Sequence, residues 1–247
     1  MRIIARLDVK PPNVVKPIHF DGLKKVGKPQ DLAKKYYEDG ADEIVYIDIV
    51  SSLYRRDILF DLAKDVSKDI FTPFAVGGGV RTIEHTQKLI HNGADKVILN
   101  TNAIIDPSII KGIVSVFGSQ AVTIHIQAKK WDSWYECYTD CGRNRSDKHV
   151  IEWAKEVEDF GAGEIILSVI DNDGRQRGFD LELSNKLIES VNIPVVIGSG
   201  AGSLDDILEV AKLNPSGIAI ASLLHYNVLT IEEIKQHLIN NGFHVHI

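Results

Sequence analysis

The chain has 247 residues, enough for one large domain or two small ones, with an ordinary globular balance of 44% apolar and 25% charged residues that excludes a disordered or fibrous protein. A formal net charge of -6 leaves no basic footprint for nucleic acid and no attraction to an anionic membrane surface. No apolar run approaches the roughly 18–20 residues of a membrane span, and the opening MRIIARLDVK carries charge inside its apolar stretch, unlike a signal peptide, so a cytoplasmic protein is expected.

In chain order, short β-branched runs at 3–8, 44–49, 73–77, 96–100, 121–127, 164–169, 194–198 and 217–221 predict strands. Amphipathic segments near 30–39, 57–68, 83–92, 106–117, 147–160, 180–190, 203–212 and 230–240 predict helices between them. Breakers such as Gly40, Pro73, Gly93, Gly161 and Pro194 precede several strands. Strict alternation of strand and helix predicts an α/β fold with a parallel sheet and crossover helices. The first loop reads KPPNVVKP, and the lysine-rich stretch 24–35 reads as a solvated loop and helix face. After the fifth predicted strand, 129–147 (KKWDSWYECYTDCGRNRSD) is an aromatic and polar insertion, expected to form a β-hairpin over the mouth, either filling space or touching a ligand. Cys137 and Cys141, spaced C-x3-C, fit no common zinc pattern and are expected to be reduced loop thiols. His-Val-His at 244–246 reads as a frayed tail, so no metal site and no cofactor is expected.

The chain also repeats itself. AKKYYEDGADEI at 33–44 returns as AKEVEDFGAGEI at 154–165, and PFAVGGG at 73–79 returns as PVVIGSG at 194–200, a constant spacing of 121 residues. A repeat outranks local readings. Eight units with two-fold internal symmetry predict a closed (β/α)8 TIM barrel, a single domain over 1–247 with half-barrels at about 1–120 and 121–240.

Reactive residues of such a barrel stand at the C-terminal ends of its strands. The first strand ends at Asp8 and its repeat twin ends at Gln127. Residues two apart share a strand face, so Asp8 brings Arg6, Ile4 and Arg2 inward, and Gln127 brings His125 and Thr123. Arg6 inside a barrel reads either as an ion pair with Asp8 that fills space or as part of a site. At the opposite end, Arg2, Glu43, Lys96 and Glu164 each start a strand, and an inward register makes them a ring across the floor, either a salt-bridge plug or a gate around a pore. Candidate phosphate-binding turns follow the strands in both halves: Gly79 with Asn100 and Thr101, then Asp173, Gly174, Gly200, Ala221 and Ser222. Glycine permits close backbone approach, and helix N-termini favour anions. Two symmetry-related clusters imply a ligand with a phosphate at each end.

LDVK at 7–10 with VVK at 14–16, AVGGGVR at 75–81, GADKVILNT at 93–101, FGSQAV at 117–122, EWAKEVEDFGAGEI at 152–165, DNDG at 171–174, GFDLEL at 178–183 and GSGAG at 198–202 together resemble the cyclase subunit of imidazole glycerol phosphate synthase, the HisF family, over nearly the whole chain. The resemblance implies the barrel half of a glutamine amidotransferase in histidine biosynthesis, a lyase that forms imidazole glycerol phosphate and aminoimidazole carboxamide ribotide. It implies a HisH-like glutaminase docked at the barrel floor, ammonia passing the gate of Arg2, Glu43, Lys96 and Glu164, and a bisphosphorylated ribonucleotide held by the phosphate turns. One catalytic aspartate carries over to Asp8, but Gln127 stands where the family has the other. An amide cannot exchange a proton near neutral pH, a loss worth roughly 10²–10⁴ in rate where acid–base help is needed. His125 is the possible substitute. Arg6 and His125 replace small residues, and the first loop lacks the family's glycines. Two further readings follow: a divergent paralogue supplying ammonia for amidation of a surface-polysaccharide sugar, and a non-catalytic activator of the glutaminase.

Overall fold

The computed structural model describes residues 1–51 and 59–246. Its barrel strands, interrupted by excursions, are β1 (Arg2–Lys10), β4 (Glu43–Asp48), β5 (Phe74–Gly77), β6 (Lys96–Leu99), β7 (Val122–Trp131), β10 (Glu164–Val169), β11 (Val195–Gly198) and β12 (Gly217–Ile220). They pair in parallel in the order β10-β11-β12-β1-β4-β5-β6-β7, and β7 pairs back to β10, closing the barrel. The strands are short and rich in Ile and Val because both faces are buried, one against the lumen and one against the helices. All eight predicted strands lie on these elements.

The helices that return the chain are Pro29–Glu38, Leu59–Val66, Ile83–His91, Ser108–Phe117, Val150–Asp159, Leu181–Ser190, Leu204–Ala211 and Ile231–Asn240, matching the eight predicted. Positions 57–58 of the second predicted helix lie outside the described residues. Several starts are set locally: Thr82, Asp180 and Ser203 each accept a hydrogen bond from the backbone N–H three residues on, and Thr230 with Glu233 forms a capping box. Two short helices, Thr101–Ile105 and Ser222–His225, were not foreseen; they begin 121 residues apart and follow β6 and β12. Both are too brief for a periodic pattern to mark them.

The excursions depart most from the sequence reading. The first loop is not a loop: β2 (Asn13–Ile18) folds back on β1 with Asp8 opposite Val15, and β3 (Asp21–Gly27) pairs with β2. Lys24 and Lys25 are solvated as expected, but on a strand rather than in a loop; Val14 and Val15 supply the apolar anchor. The insertion forms the expected hairpin, β7 continuing past the barrel into β8 (Trp134–Thr139), and then adds β9 (Asn144–His149) as a third antiparallel strand. Cys137 therefore lies in β8 and Cys141 in the turn after it, both free and buried. The histidine tail has no regular secondary structure, and its His244 carbonyl accepts from the N-terminal amine.

Two apolar layers result. The larger lies between strands and helices. The smaller fills the lumen with Ile4, Val45, Ala75, Ile98, Ile166, Val196 and Ala219. This confirms the inward register expected for Arg2, Arg6 and Asp8, since Ile4 sits between them in alternation.

Candidate active site at the barrel mouth

At the floor, Arg2, Glu43, Lys96 and Glu164 close into a ring. Arg2 Nη1 pairs with Glu43 and Nη2 with Glu164. Lys96 Nζ lies 3.1 Å from both Glu43 oxygens and 3.0 Å from Glu164 Oε2. Thr123 Oγ1 donates to Glu164 at 3.4 Å. Burial pushes the Glu43 carboxyl above its ordinary value, and Glu164 adds to this against the pull of Lys96 and Arg2. For Arg2, burial disfavours the charge, but Glu164 and Glu43 outweigh it and raise the guanidinium.

At the mouth, Asp8 is 1% exposed. Arg6 Nε donates to Asp8 Oδ1 at 3.0 Å, and Nη1 donates to Ser168 Oγ at 2.6 Å. Ser168 Oγ lies 2.9 Å from His125 Nε2, so a chain Asp8–Arg6–Ser168–His125 crosses the lumen from β1 to β7. Burial opposes the Arg6 charge, but Asp8 and Asp173 outweigh it and hold the guanidinium above its ordinary value. Burial, with Arg6 adding to it, holds the His125 ring well below its ordinary value, so the ring is neutral at physiological pH. Gln127 Oε1 accepts from the Gly142 N–H at 2.8 Å, which ties the β8–β9 turn to the barrel.

Two pockets flank this chain, each lined mostly by one half of the sequence. The first is lined by Gly79, Asn100, Thr101, His125 and Gln127. Asn100 Nδ2 donates to the Tyr138 carbonyl at 3.2 Å, and Thr101 Oγ1 accepts from the Asp140 N–H at 3.0 Å. The second is lined by Asp173, Gly174, Gly200, Ala221 and Ser222, with Arg6. Gly200 stands at φ +125°, and a Cβ there would lie 2.3 Å from the Gly178 carbonyl oxygen. Gly78 is equally constrained at φ +107°, where a Cβ would meet the Asp48 carbonyl at 2.4 Å. All eight residues singled out from the sequence as phosphate turns thus converge on one pocket or the other, while Asp8 lines neither and lies beneath them.

Three participants were missed. Lys16, from β2, is 4% exposed, lines the second pocket and pairs with Asp173 Oδ1 at 3.0 Å and with Asp8 Oδ2 at 3.8 Å. Ser168 links Arg6 to His125. Asp48, at the end of β4, lines the first pocket and accepts from the Val50 and Ser51 N–H groups at 2.9 Å each. Its position at a strand's C-terminal end was the available signal. Among the described residues no cluster of three or more metal-ligating side chains occurs.

Residues 2–230 match the family described as histidine biosynthesis protein. The chain is 43% identical over 246 residues to the imidazole glycerol phosphate synthase subunit HisF of Pyrococcus furiosus, covering 100% of this chain and 98% of that protein. It is 42% identical over 246 residues to the HisF subunit of Sulfurisphaera tokodaii and 38% identical over 248 residues to that of Petrotoga mobilis, with the same coverage in both cases. A closed barrel with its polar residues at both ends of the lumen, matched along its full length in this way, is that of a member of the histidine biosynthesis protein family, to which this chain belongs.

Proposed function

We propose that this chain is the cyclase-type barrel subunit of imidazole glycerol phosphate synthase. It uses ammonia from a HisH-like glutaminase to form imidazole glycerol phosphate and aminoimidazole carboxamide ribotide. The observation that carries this reading is the pair of pockets, each lined mostly by one half, on either side of a buried carboxylate at the mouth of a barrel whose relatives are all but coextensive with it. A bisphosphorylated nucleotide spans the two pockets. Gly79, Asn100 and Thr101 hold one phosphate, and Asp173, Gly174, Gly200, Ala221 and Ser222 surround the other, with Lys16 supplying the positive charge beside Asp173.

Asp8, held by Arg6, is the acid–base group. His125 is neutral and therefore in the proton-accepting form, the substitute for the aspartate replaced by Gln127. Gln127 itself hydrogen-bonds and orients but moves no proton. The glutaminase docks at the floor, where Arg2 and Lys96 keep part of their side chains exposed, and ammonia enters when the ring of Arg2, Glu43, Lys96 and Glu164 opens. The two half-barrels act as one domain over 1–247. No described helix is long and apolar enough to cross a membrane, and the two free thiols suit a reducing cytoplasm. The paralogue and activator readings draw no support from the comparisons.

The test is turnover of the bisphosphorylated ribulosyl carboxamide nucleotide by the purified chain with an ammonium salt, which needs no partner. Formation of both products is expected. A chain that binds the nucleotide yet forms neither product refutes the proposal.

A further inference from the structure

Among the buried polar atoms at the mouth that have no hydrogen-bond partner among the described residues are Arg6 Nη2, a donor, and Asp8 Oδ2, an acceptor. They belong to one ion pair. Arginine–carboxylate pairs are frequently bidentate, fork to fork, each nitrogen with its own oxygen. Here Nε and Nη2 both lie 3.0 Å from the same oxygen, Oδ1, with Nη2 off the line a hydrogen bond needs. The cation paired with Oδ2 is Lys16, at 3.8 Å, and that lysine is engaged at 3.0 Å with Asp173. The guanidinium is held from both sides, by Ser168 at 2.6 Å and by the Phe20 ring at 5.7 Å, and it lines the second pocket. A fixed donor and a fixed acceptor side by side, both unsatisfied, mark a place where a ligand completes the bonding.

We propose that Arg6 and Asp8 form a clasp for a primary carboxamide. Arg6 Nη2 donates to the amide oxygen, and Asp8 Oδ2 accepts from the amide N–H. The inference rests on the reading above, in which one nucleotide spans both pockets. A primary amide is a small, neutral planar group that offers one acceptor and one donor together. A carboxylate would set like charge against Asp8, and an ester would leave Oδ2 unpaired. Arg6 is then a specificity residue that touches the ligand, rather than a filler of the barrel.

Titration calorimetry of the full chain tests this with aminoimidazole carboxamide ribotide, its methyl ester analogue and inorganic phosphate. The amide is expected to bind at least about tenfold more tightly than the ester, because a site built around hydrogen bonds rejects an analogue lacking them. Arg6→Met is expected to reduce that preference to about twofold; because Arg6 also lines the second pocket, the quantity compared is the amide-to-ester ratio within one variant, which a general loss of affinity for phosphate does not move. Arg6→Lys, which keeps the charge but not the fork, is expected to do the same and serves if the methionine variant does not fold. Equal binding of amide and ester by the unmutated chain overturns the clasp and leaves the cyclase reading standing. Binding of phosphate but of neither nucleotide overturns both. A variant that folds and keeps the full preference also overturns the clasp.

Discussion

Replacing Lys96 by methionine opens the floor ring on one side. Glu43 and Glu164 then share Arg2 alone, with Glu43 1% exposed at its side chain. Removing one partner of a buried ion pair costs about 3–5 kcal/mol. Lys96 keeps 19% of its side chain exposed, so water screens part of its contribution, and about 2–3 kcal/mol at neutral pH is expected. For a domain of this size that lowers Tm by roughly 5–10 °C. The deficit depends on pH with a defined sign. The Glu43 carboxyl already sits above its ordinary value in the fold, and losing Lys96 moves it further up. The folded variant therefore binds more protons than its unfolded chain above the ordinary carboxylate range, and its stability falls as pH rises through that window. Relative to the unmutated protein, the deficit should be largest near pH 8 and shrink toward pH 5. Thermal unfolding followed by circular dichroism at both values measures it. A deficit that stays constant or grows on acidification refutes the account of a ring held together by compensating charge.

His125→Ala removes the group that stands in for the missing aspartate and should lower ammonium-dependent turnover by roughly 10²–10⁴, read from steady-state kinetics; an unchanged rate would remove His125 from the chemistry. Gly200→Ala forces a Cβ to within 2.3 Å of the Gly178 carbonyl at φ +125° and should weaken inorganic phosphate binding at the second pocket more than it lowers Tm, as calorimetry and melting together would show. His225, stacked on Tyr36 and bonded to its hydroxyl at 2.7 Å, is held down to about 3 by burial, with Lys16 adding to the effect. Its unfolded form takes up a proton first as pH falls, so stability declines between pH 6 and 4 at up to roughly 1.4 kcal/mol per unit from this group. His225→Phe should flatten that decline in denaturant titrations, and an unchanged slope would assign it elsewhere.

What the sequence determined by itself was everything that repeats or alternates. The 121-residue spacing, the Gly and Pro breakers and the β-branched runs specified eight strand–helix units, because burial on both strand faces and amphipathic helices leave marks on local composition. Their places at strand starts put Arg2, Glu43, Lys96 and Glu164 on one inward level, and the strand-end rule gathered the eight candidate phosphate-turn residues, so much of both ends of the lumen was legible, Lys16, Ser168 and Asp48 excepted. Closure decided the rest. Arg6 finds Ser168, 162 residues away, only because β10 and β7 meet across the barrel to put Ser168 beside Gln127. Lys16 reaches Asp173 only because β2 folds back along β1, an event that KPPNVVKP does not announce. Asn100 is tied to β8 and Thr101 to the turn after it, in an insertion that the sequence showed as a hairpin without its third strand. A strand's pattern states which side chains point inward, but which of them touch is set by register across the barrel, and no local window of sequence carries that information.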